Sequence, residues 1–371
     1  MVVKRLFSLL VLILALFGTP DFVYAQHGGE AHHEASEHGH GDAKEEKGFN
    51  ASEVIFGHIR DSHYWHLFDI NETPVSLPLP VIIYHPEKGL EIFSASKFHH
   101  GHESYNGYYI DHNVKMKEKI ASEDGAAIKD FSITKNVLSM FLSVVILLTL
   151  MLNVAKKYKK NGVMTAPTGF QNALEPVITF IRDEVAKPNL GNRYMTYMPL
   201  ILTVFFFIWI NNLLGLLPGG ANFTGNIAVT ACLAVVSFTV MMAKSNKHYW
   251  SHLLNPPGVP FGIKLLLVPI EIMSMFIKPM ALCIRLFANM MAGHIVILSV
   301  ISMIFIFAAL NQVAGIVFVP FSLAFSVFMF SLELLVAAIQ AFIFANLTAV
   351  FIGQAIEEPH HDHGGDRQIE M

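Results

Sequence analysis

Charge is scarce in this chain. Asp, Glu, Lys and Arg make up 15% of its 371 residues, where a soluble globular domain carries about a quarter. The formal net charge is only −4, and no basic patch of the kind nucleic acid needs is present, so that class of partner is set aside. Cysteine is nearly missing as well. Cys232 and Cys283 both sit in apolar stretches, so no disulfide staples an exported segment and both read as packing residues. A glycine-rich phosphate loop is also lacking, which argues against nucleotide chemistry on this chain. No internal repeat with broken helices at matching positions is visible, as an inverted-repeat transporter would be expected to show.

Apolar residues are abundant, at 53%, and unevenly spread. Residues 27–130 read as a soluble segment. From Phe131 onward long apolar stretches alternate with short polar ones, the pattern of a polytopic membrane protein. Residues 1–25 read as a secretory signal peptide. Lys4 and Arg5 form a positive start, Leu6 to Phe17 an apolar run too short to span comfortably, and Val23-Tyr24-Ala25 a small-residue cleavage pattern. Residues 26–48 are His, Glu, Gly and Lys with almost nothing apolar, a disordered exported tail by composition. Thirteen of the nineteen histidines fall between His27 and His112. Their spacing is irregular and comes without cysteine, so a solvated linker is the preferred reading over a metal-binding or proton-buffering antenna. Residues 49–130 form an exported β-rich segment. Tyr64 to Ile70, Val75 to Tyr84 and Leu90 to Phe93 are rich in aromatic and β-branched residues, with Pro and Gly clusters between them.

Residues 131–356 carry the membrane spans. The first is expected from about Ile133 to Ala155, and Lys156-Lys157-Tyr158-Lys159-Lys160 directly after it marks the cytoplasmic side. The exported start and this lysine cluster give the same orientation. Residues 166–194 mix charge and apolar residues and read as an amphipathic helix at the cytoplasmic surface. A span from about Met198 to Leu217, a short Pro-Gly loop and a return span over Asn226 to Ala243 follow, with Lys244 and Lys247 again on the inner side. From about Pro260 to Ala309 the chain stays apolar for some 48 residues. As one helix that is about 70 Å, against a bilayer core of about 30 Å. It is either two spans with a hidden turn or one strongly tilted helix. After a break around Asn311 to Pro320, Phe321 to Ile356 is again longer than an upright span needs. The tail, residues 357–371, is expected in the cytoplasm. The fold class is therefore an all-α polytopic membrane protein with about five transmembrane segments, the last two long and strongly tilted, preceded by a small exported β-rich segment.

The informative residues are the ionisable ones in the last two stretches: Glu271, Lys278, Arg285, His294 and Glu333, with Asn289 and Gln340 as neutral polar companions. A charge at the bilayer centre costs about 2.5–3.5 kcal/mol or more, so it usually has a partner or a function. Glu271, Lys278 and Arg285 are seven apart, a drift of only about 20° each, so they share one helix face, with Asn289 one turn beyond. His294, nine residues past Arg285, falls about 180° away. Glu333 and Gln340 are again seven apart. Arginine keeps its charge at any accessible pH, whereas His and Glu can carry protons. A fixed charge on one face and titratable groups on another suggest two separate aqueous routes kept apart by Arg285. The bland alternative is a set of structural ion pairs.

The run Lys278 to His294 (KPMALCIRLFANMMAGH) resembles the signature of subunit a, the proton-channel stator subunit of the F-type ATP synthase. Gln340-Ala341-Phe342-Ile343-Phe344 is similar to that family's second motif, and Asn211 to Pro218 to its second span and loop. The resemblance covers about Gly169 to Gly353. It implies that Arg285 is the essential stator charge facing a ring of c subunits, whose carboxylates are loaded from one half-channel and unloaded into another. Gln340 then neighbours that arginine, Glu271 lies on the cytoplasmic exit route, and Asn289 lies along the path. Many relatives carry glutamate at the His294 position and histidine at the Glu333 position. The pair reads as exchanged, which implies that the two side chains touch. The resemblance further implies a peripheral stalk of b subunits, the rest of the ATP synthase complex and the lipid bilayer as partners. It implies no cofactor, no metal and no catalysis by the chain itself, and a multi-pass position in a bacterial inner membrane with the N-terminus outside. The alternatives are a secondary ion transporter with an intramembrane Arg–Glu–His network and a structural anchor carrying an exported domain.

Overall fold

The computed structural model describes residues 59–356 except 71–72, 102, 112–117, 163–165, 167, 218–219 and 257, together with 55 and 57. The expected signal peptide, the His-rich tail, the Pro218-Gly219 pair and the C-terminal tail lie outside the described residues.

The N-terminal part is β-rich. Strands β1 (Tyr64–Ile70) and β2 (Thr73–Pro78) form one antiparallel pair, and β5 (Tyr108–Asp111) and β6 (Lys119–Ser122) another. Between them β3 (Pro80–His85) is the centre of a three-stranded sheet with β4 (Gly89–Ser94) and β7 (Lys129–Asp130). The stretch Val75 to Tyr84 is thus two strands rather than one. Pro78 and Pro80 flank Leu79, and a proline has no N–H to give a ladder. Leu79 instead donates to the His63 carbonyl at 3.0 Å and accepts from Ala95 N–H at 2.9 Å. The inward positions of β3, Val81 and Ile83, are fully buried with Phe98, Tyr108 and Ile120. Phe93 sets its ring edge-on to Phe98 at 5.4 Å, a favoured aromatic geometry.

Helix α1 (Lys135–Asn161) begins four residues after β7. Its N-cap, Thr134, makes no side-chain cap. The free N–H groups of the first turn are met from the N-terminal β-rich segment: Asn136 N–H donates to the Asp61 carboxylate at 3.3 Å and Lys135 N–H to the Ser62 carbonyl at 3.0 Å. Next to this cap the imidazole of His63, with no exposed surface, lies 3.5 Å from a Glu118 oxygen and 3.7 Å from an Asp130 oxygen. These are ion-pair distances rather than short hydrogen bonds. Burial disfavours the charged ring, but the two carboxylates together outweigh it and raise the His63 pKa to about 9. Burial likewise opposes ionisation of Asp130, yet His63 and Ser132 hold its pKa down to about 2.

In the membrane part, α2 (Phe170–Phe180), a π-helical turn (Ile181–Ala186), α3 (Lys187–Leu190) and a 3₁₀ turn (Gly191–Arg193) lead directly into α4 (Tyr194–Leu216). The 166–194 region is therefore not a helix lying alone on a surface. Leu174, Ile181, Val185, Ala186 and Leu190 are buried in the same core as α4 and α8, while Arg182, Asp183 and Lys187 pair with one another on the exposed side. Helix α5 (Ile227–Lys244) returns, and a short helix α6 (Lys247–Leu254), not anticipated from sequence, follows it. Then come α7 (Phe261–Leu310, 50 residues) and α8 (Gln312–Ile356, 45 residues). No hidden turn divides α7, although Pro269 and Pro279 lie inside it, and the break before α8 is narrower than expected, at Asn311.

Among the described residues, five helical stretches are long and apolar enough to cross a membrane. At ~1.5 Å per residue α7 measures about 75 Å, far more than an upright span of a ~30 Å core. Only 11% of its most apolar stretch is buried within the chain, against 56% for the run through α4. Helices α4 and α8 form the packed centre, and α7 shows a broad apolar face outward.

The His63 cluster has a pH signature. A raised histidine pKa stabilises fully below the unfolded value of about 6.5 and loses its effect as pH climbs through about 9, and a depressed aspartate pKa stabilises above about 3.9 and fades as pH falls through about 2. Protease resistance of the exported segment in membranes, corrected for the protease's own pH profile on a peptide, should hold between about pH 4 and 6.5 and decline towards pH 9. His63→Leu, which leaves two buried carboxylates facing each other, should cost about 3 kcal/mol and abolish the alkaline decline. Resistance that does not change with pH in the wild-type chain would show that the cluster contributes nothing.

Candidate functional site

Gly293 of α7 packs directly against Glu333 of α8. A Cβ built there would lie 2.5 Å from Glu333 Oε1 and 2.7 Å from its Cδ, so only glycine lets the buried carboxyl of α8 reach α7. The next residue, His294, fills the gap this leaves. Its Nδ1 is 2.9 Å from Glu333 Oε1 and 3.1 Å from the Met290 carbonyl, and its Nε2 is 3.0 Å from the Gly215 carbonyl of α4. The contact implied by the exchanged pair is present.

Hydrogen-bond chemistry restricts what this pair can be. A carbonyl only accepts, so Nε2 facing Gly215 must carry its hydrogen. Nδ1 then either donates to an ionised Glu333 or accepts from a protonated one. The two arrangements differ by the position of one proton along a 2.9 Å line. The other carboxyl oxygen, Glu333 Oε2, is buried and has no hydrogen-bond partner among the described residues. One turn further, Asn212 Nδ2 donates to the Ala337 carbonyl at 3.2 Å and Asn212 Oδ1 accepts from Thr224 Oγ1 at 2.9 Å, which fixes α4 against α8 beside the pair. The Gly215 carbonyl and Gly293 were not anticipated from sequence. A carbonyl leaves no mark in a sequence, and the requirement at Gly293 depends on which helix lies opposite.

Seven residues on from Glu333, the buried Gln340 accepts a hydrogen bond from Asn289 Nδ2 at 3.1 Å, while its own Nε2 has no partner among the described residues. Sequence put Gln340 beside Arg285; its hydrogen bond is to Asn289, one turn along the same face. Arg285 itself is exposed and has no hydrogen-bond or ion-pair partner among the described residues. It stands on a helix whose neighbouring exposed residues are apolar, such as Met280 and Ile284. A cation there without a partner in its own chain suits a partner from another.

Glu271 lies elsewhere. It lines a cavity of about 400 Å³ with Lys278, Ser274 and Gln354, closed on one side by α6. Of the three residues expected on one face of α7, two share this cavity and Arg285 stands a further seven residues along. The axial separations follow from the helix rise: ~21 Å from Glu271 to Arg285 and ~14 Å from Arg285 to His294.

Residues 137–353 match the family described as ATP synthase A chain, and residues 54–138 match one described only as a domain of unknown function. The chain is 43% identical over 242 residues to ATP synthase subunit a of Chloroherpeton thalassium, covering 64% of this chain and 70% of that one. It is 47% identical over 240 residues to ATP synthase subunit a of Pelodictyon phaeoclathratiforme, covering 63% and 68%. The protein of the same name from Myxococcus xanthus is 40% identical over 246 residues, covering 64% and 78%. The family match takes in most of the first span as well as the stretch that carried the resemblance, and Glu271, Arg285, Asn289, His294, Glu333 and Gln340 all lie within it: the chain belongs to the ATP synthase A chain family.

Proposed function

We propose that the chain is the stator proton channel of an F-type ATP synthase, working beside a ring of c subunits and held by a peripheral stalk of b subunits in a bacterial inner membrane. The observation that carries this reading is the order of groups along α7. A cavity with Glu271 and Lys278 stands at one end, the His294–Glu333 pair at the other, and the unpartnered Arg285 between them. The whole set covers ~35 Å of axis, about one bilayer core.

In this reading a proton enters from the outer side by way of the His294–Glu333 pair, which passes it by switching between its two arrangements. It moves past Asn289 and Gln340 to a carboxylate on the ring. The loaded, neutral carboxyl can turn into lipid, and after nearly a full circle it releases its proton towards Glu271 and the cytoplasm. Arg285 holds each passing carboxylate ionised and, being positive, opposes a proton running straight from one route to the other. The free Nε2 of Gln340 is a donor suited to the same carboxylate. The chain catalyses no bond-making of its own; it converts ion flow into rotation, and phosphoryl chemistry lies on other subunits. The N-terminal segment faces outward and the lysine-bearing loops inward. The transporter alternative would be better served by helices broken at mid-membrane, and α7 and α8 run unbroken through the ionisable residues.

ATP-driven proton pumping in inverted vesicles carrying Arg285→Ala, with assembly checked in parallel, tests the reading. Pumping should disappear while the complex still assembles; unchanged pumping would make Arg285 a dispensable surface charge and end the proposal. In the same assay Gly293→Ala should lower pumping roughly tenfold, because its methyl displaces Glu333 from His294. Retention of the wild-type rate would mean that the pair is not on the path.

A further inference from the structure

The cavity holding Glu271 has a wall that the mechanism above leaves without a task. Helix α6 contributes His248, Tyr249 and His252 to its lining. The two histidines are four residues apart on one helical face, both exposed, with ring centroids 6.4 Å apart. The helix is held firmly in place. Asn246, its N-cap, donates from its backbone N–H to the Ala355 carbonyl at 2.9 Å and from its side chain to the Ile356 carbonyl at 3.1 Å, meeting the free C-terminal carbonyls of α8. Trp250 Nε1 donates to Ser245 Oγ at 2.9 Å, and Leu253 is buried against Met241, Met275 and Phe351. A solvated face with no task would not need this anchoring.

The charged and titratable groups around the cavity are few. Helix α7 contributes Glu271 and Lys278, α6 the two histidines and Tyr249, while α5 adds only Met241 and α8 only Phe351 and Gln354. Lys244 and Lys247 stand just before the histidines, and Lys264 is bonded to Asn255 just after them. Tyr249 is close enough to Glu271 for burial first, and then that carboxylate's charge, to raise its pKa. The histidines are thus the imidazole groups of the mouth, lining it together with Glu271 and Lys278.

Resting on the channel reading above, we propose that His248 and His252 are a proton-exchange pair at the cytoplasmic mouth, taking protons from the medium and relaying them to and from Glu271. The need for one is kinetic. Capture at on the order of 10^9 per molar per second, from a proton concentration on the order of 10^-8 M, gives roughly 10 events per second at a single carboxylate. Rotary turnover at even ordinary enzyme rates, with several protons per turn, is faster than that. Two exposed imidazoles, each re-protonated by buffer molecules far more abundant than free protons, remove the limit. Each transfer moves one proton: an imidazolium that gives it to the Glu271 carboxylate is left neutral, and a neutral imidazole that takes it from the protonated carboxyl leaves a carboxylate, so no co-reactant is required.

The test uses the whole complex in inverted vesicles, where ATP hydrolysis draws protons in through this mouth. The double variant His248→Gln, His252→Gln should pump within about twofold of wild type near pH 6.5 and at least roughly fivefold more slowly near pH 8.5, and imidazole at about 20 mM should restore the rate. Wild-type rates at both pH values would overturn the proposal. So would an equal loss at both pH values that imidazole does not repair in assembled complex, which is the signature of a structural role for α6. Arg285→Ala vesicles run alongside separate the two readings. If those do not pump and the histidine variant behaves as wild type, the relay alone fails. If they do pump, the channel reading falls and takes the relay with it.

Discussion

A carboxylate and an imidazole can share a site away from water only if each supplies what the other loses on burial. Desolvation opposes both charges, and their mutual attraction offsets that only at hydrogen-bonding distance with the remaining polar atoms satisfied. The position of Gly293 follows from this constraint. A side chain there would meet the Glu333 carboxyl and push it away from His294. So do the Gly215 carbonyl, which occupies the far nitrogen of the ring, and the Asn212–Thr224 link, which keeps α4 where that carbonyl is needed. Three helices are set around one shared proton, and van der Waals packing rather than water exclusion holds them there, since lipid is as apolar as their side chains.

The same constraint acts differently at the outer surface. The first turn of α1 has N–H groups to satisfy and a capping residue that does not satisfy them. Asp61, 75 residues earlier, does so instead, with the His63 cluster next to it. The N-terminal β-rich segment is thereby fixed to the first span by charge and hydrogen bonds rather than by a linker. Phe131 N–H donates to the Ile82 carbonyl at 2.9 Å and Ile133 N–H to the Pro80 carbonyl at 3.1 Å, so β3 runs beside the chain up to the start of the helix. The two parts meet as a continuous hydrogen-bonded structure.

Much of this was legible in the sequence, and the reason is periodicity. The apolar runs that become α1, α4, α5, α7 and α8 could be read because length and composition alone decide a span. The polar residues of α7 could be assigned to faces because a helix of known period places them. The His294–Glu333 contact followed from treating two departures from a family pattern as one exchange. What escaped depended on partners distant in sequence. The Asp61 cap is invisible locally, and so is the burial of Leu174, Ile181 and Val185 against α8, which turned an expected surface helix into part of the core. The prolines misled in opposite ways. Pro78 and Pro80 split an apparent strand, whereas Pro269 and Pro279 leave α7 unbroken. The first pair occurs in a ladder that needs their missing N–H; the second lies in a helix, where neighbouring groups make up the loss.

Continuity of α7 also gives the site its directional character. A helix broken at mid-membrane would bring its ionisable residues into one chamber, and a group there could exchange with both sides. An unbroken helix of 50 residues keeps Glu271 and His294 some 35 Å apart along its axis. The only charged side chain on α7 between Lys278 and His294 is Arg285, which cannot release its proton. Water reaching in from either end would meet a titratable group before it met the other water. In the channel proposed above, a proton that crosses is therefore carried laterally past the arginine by a partner, and the exposed apolar flank of α7 around Met280 and Ile284 is the surface that would face it.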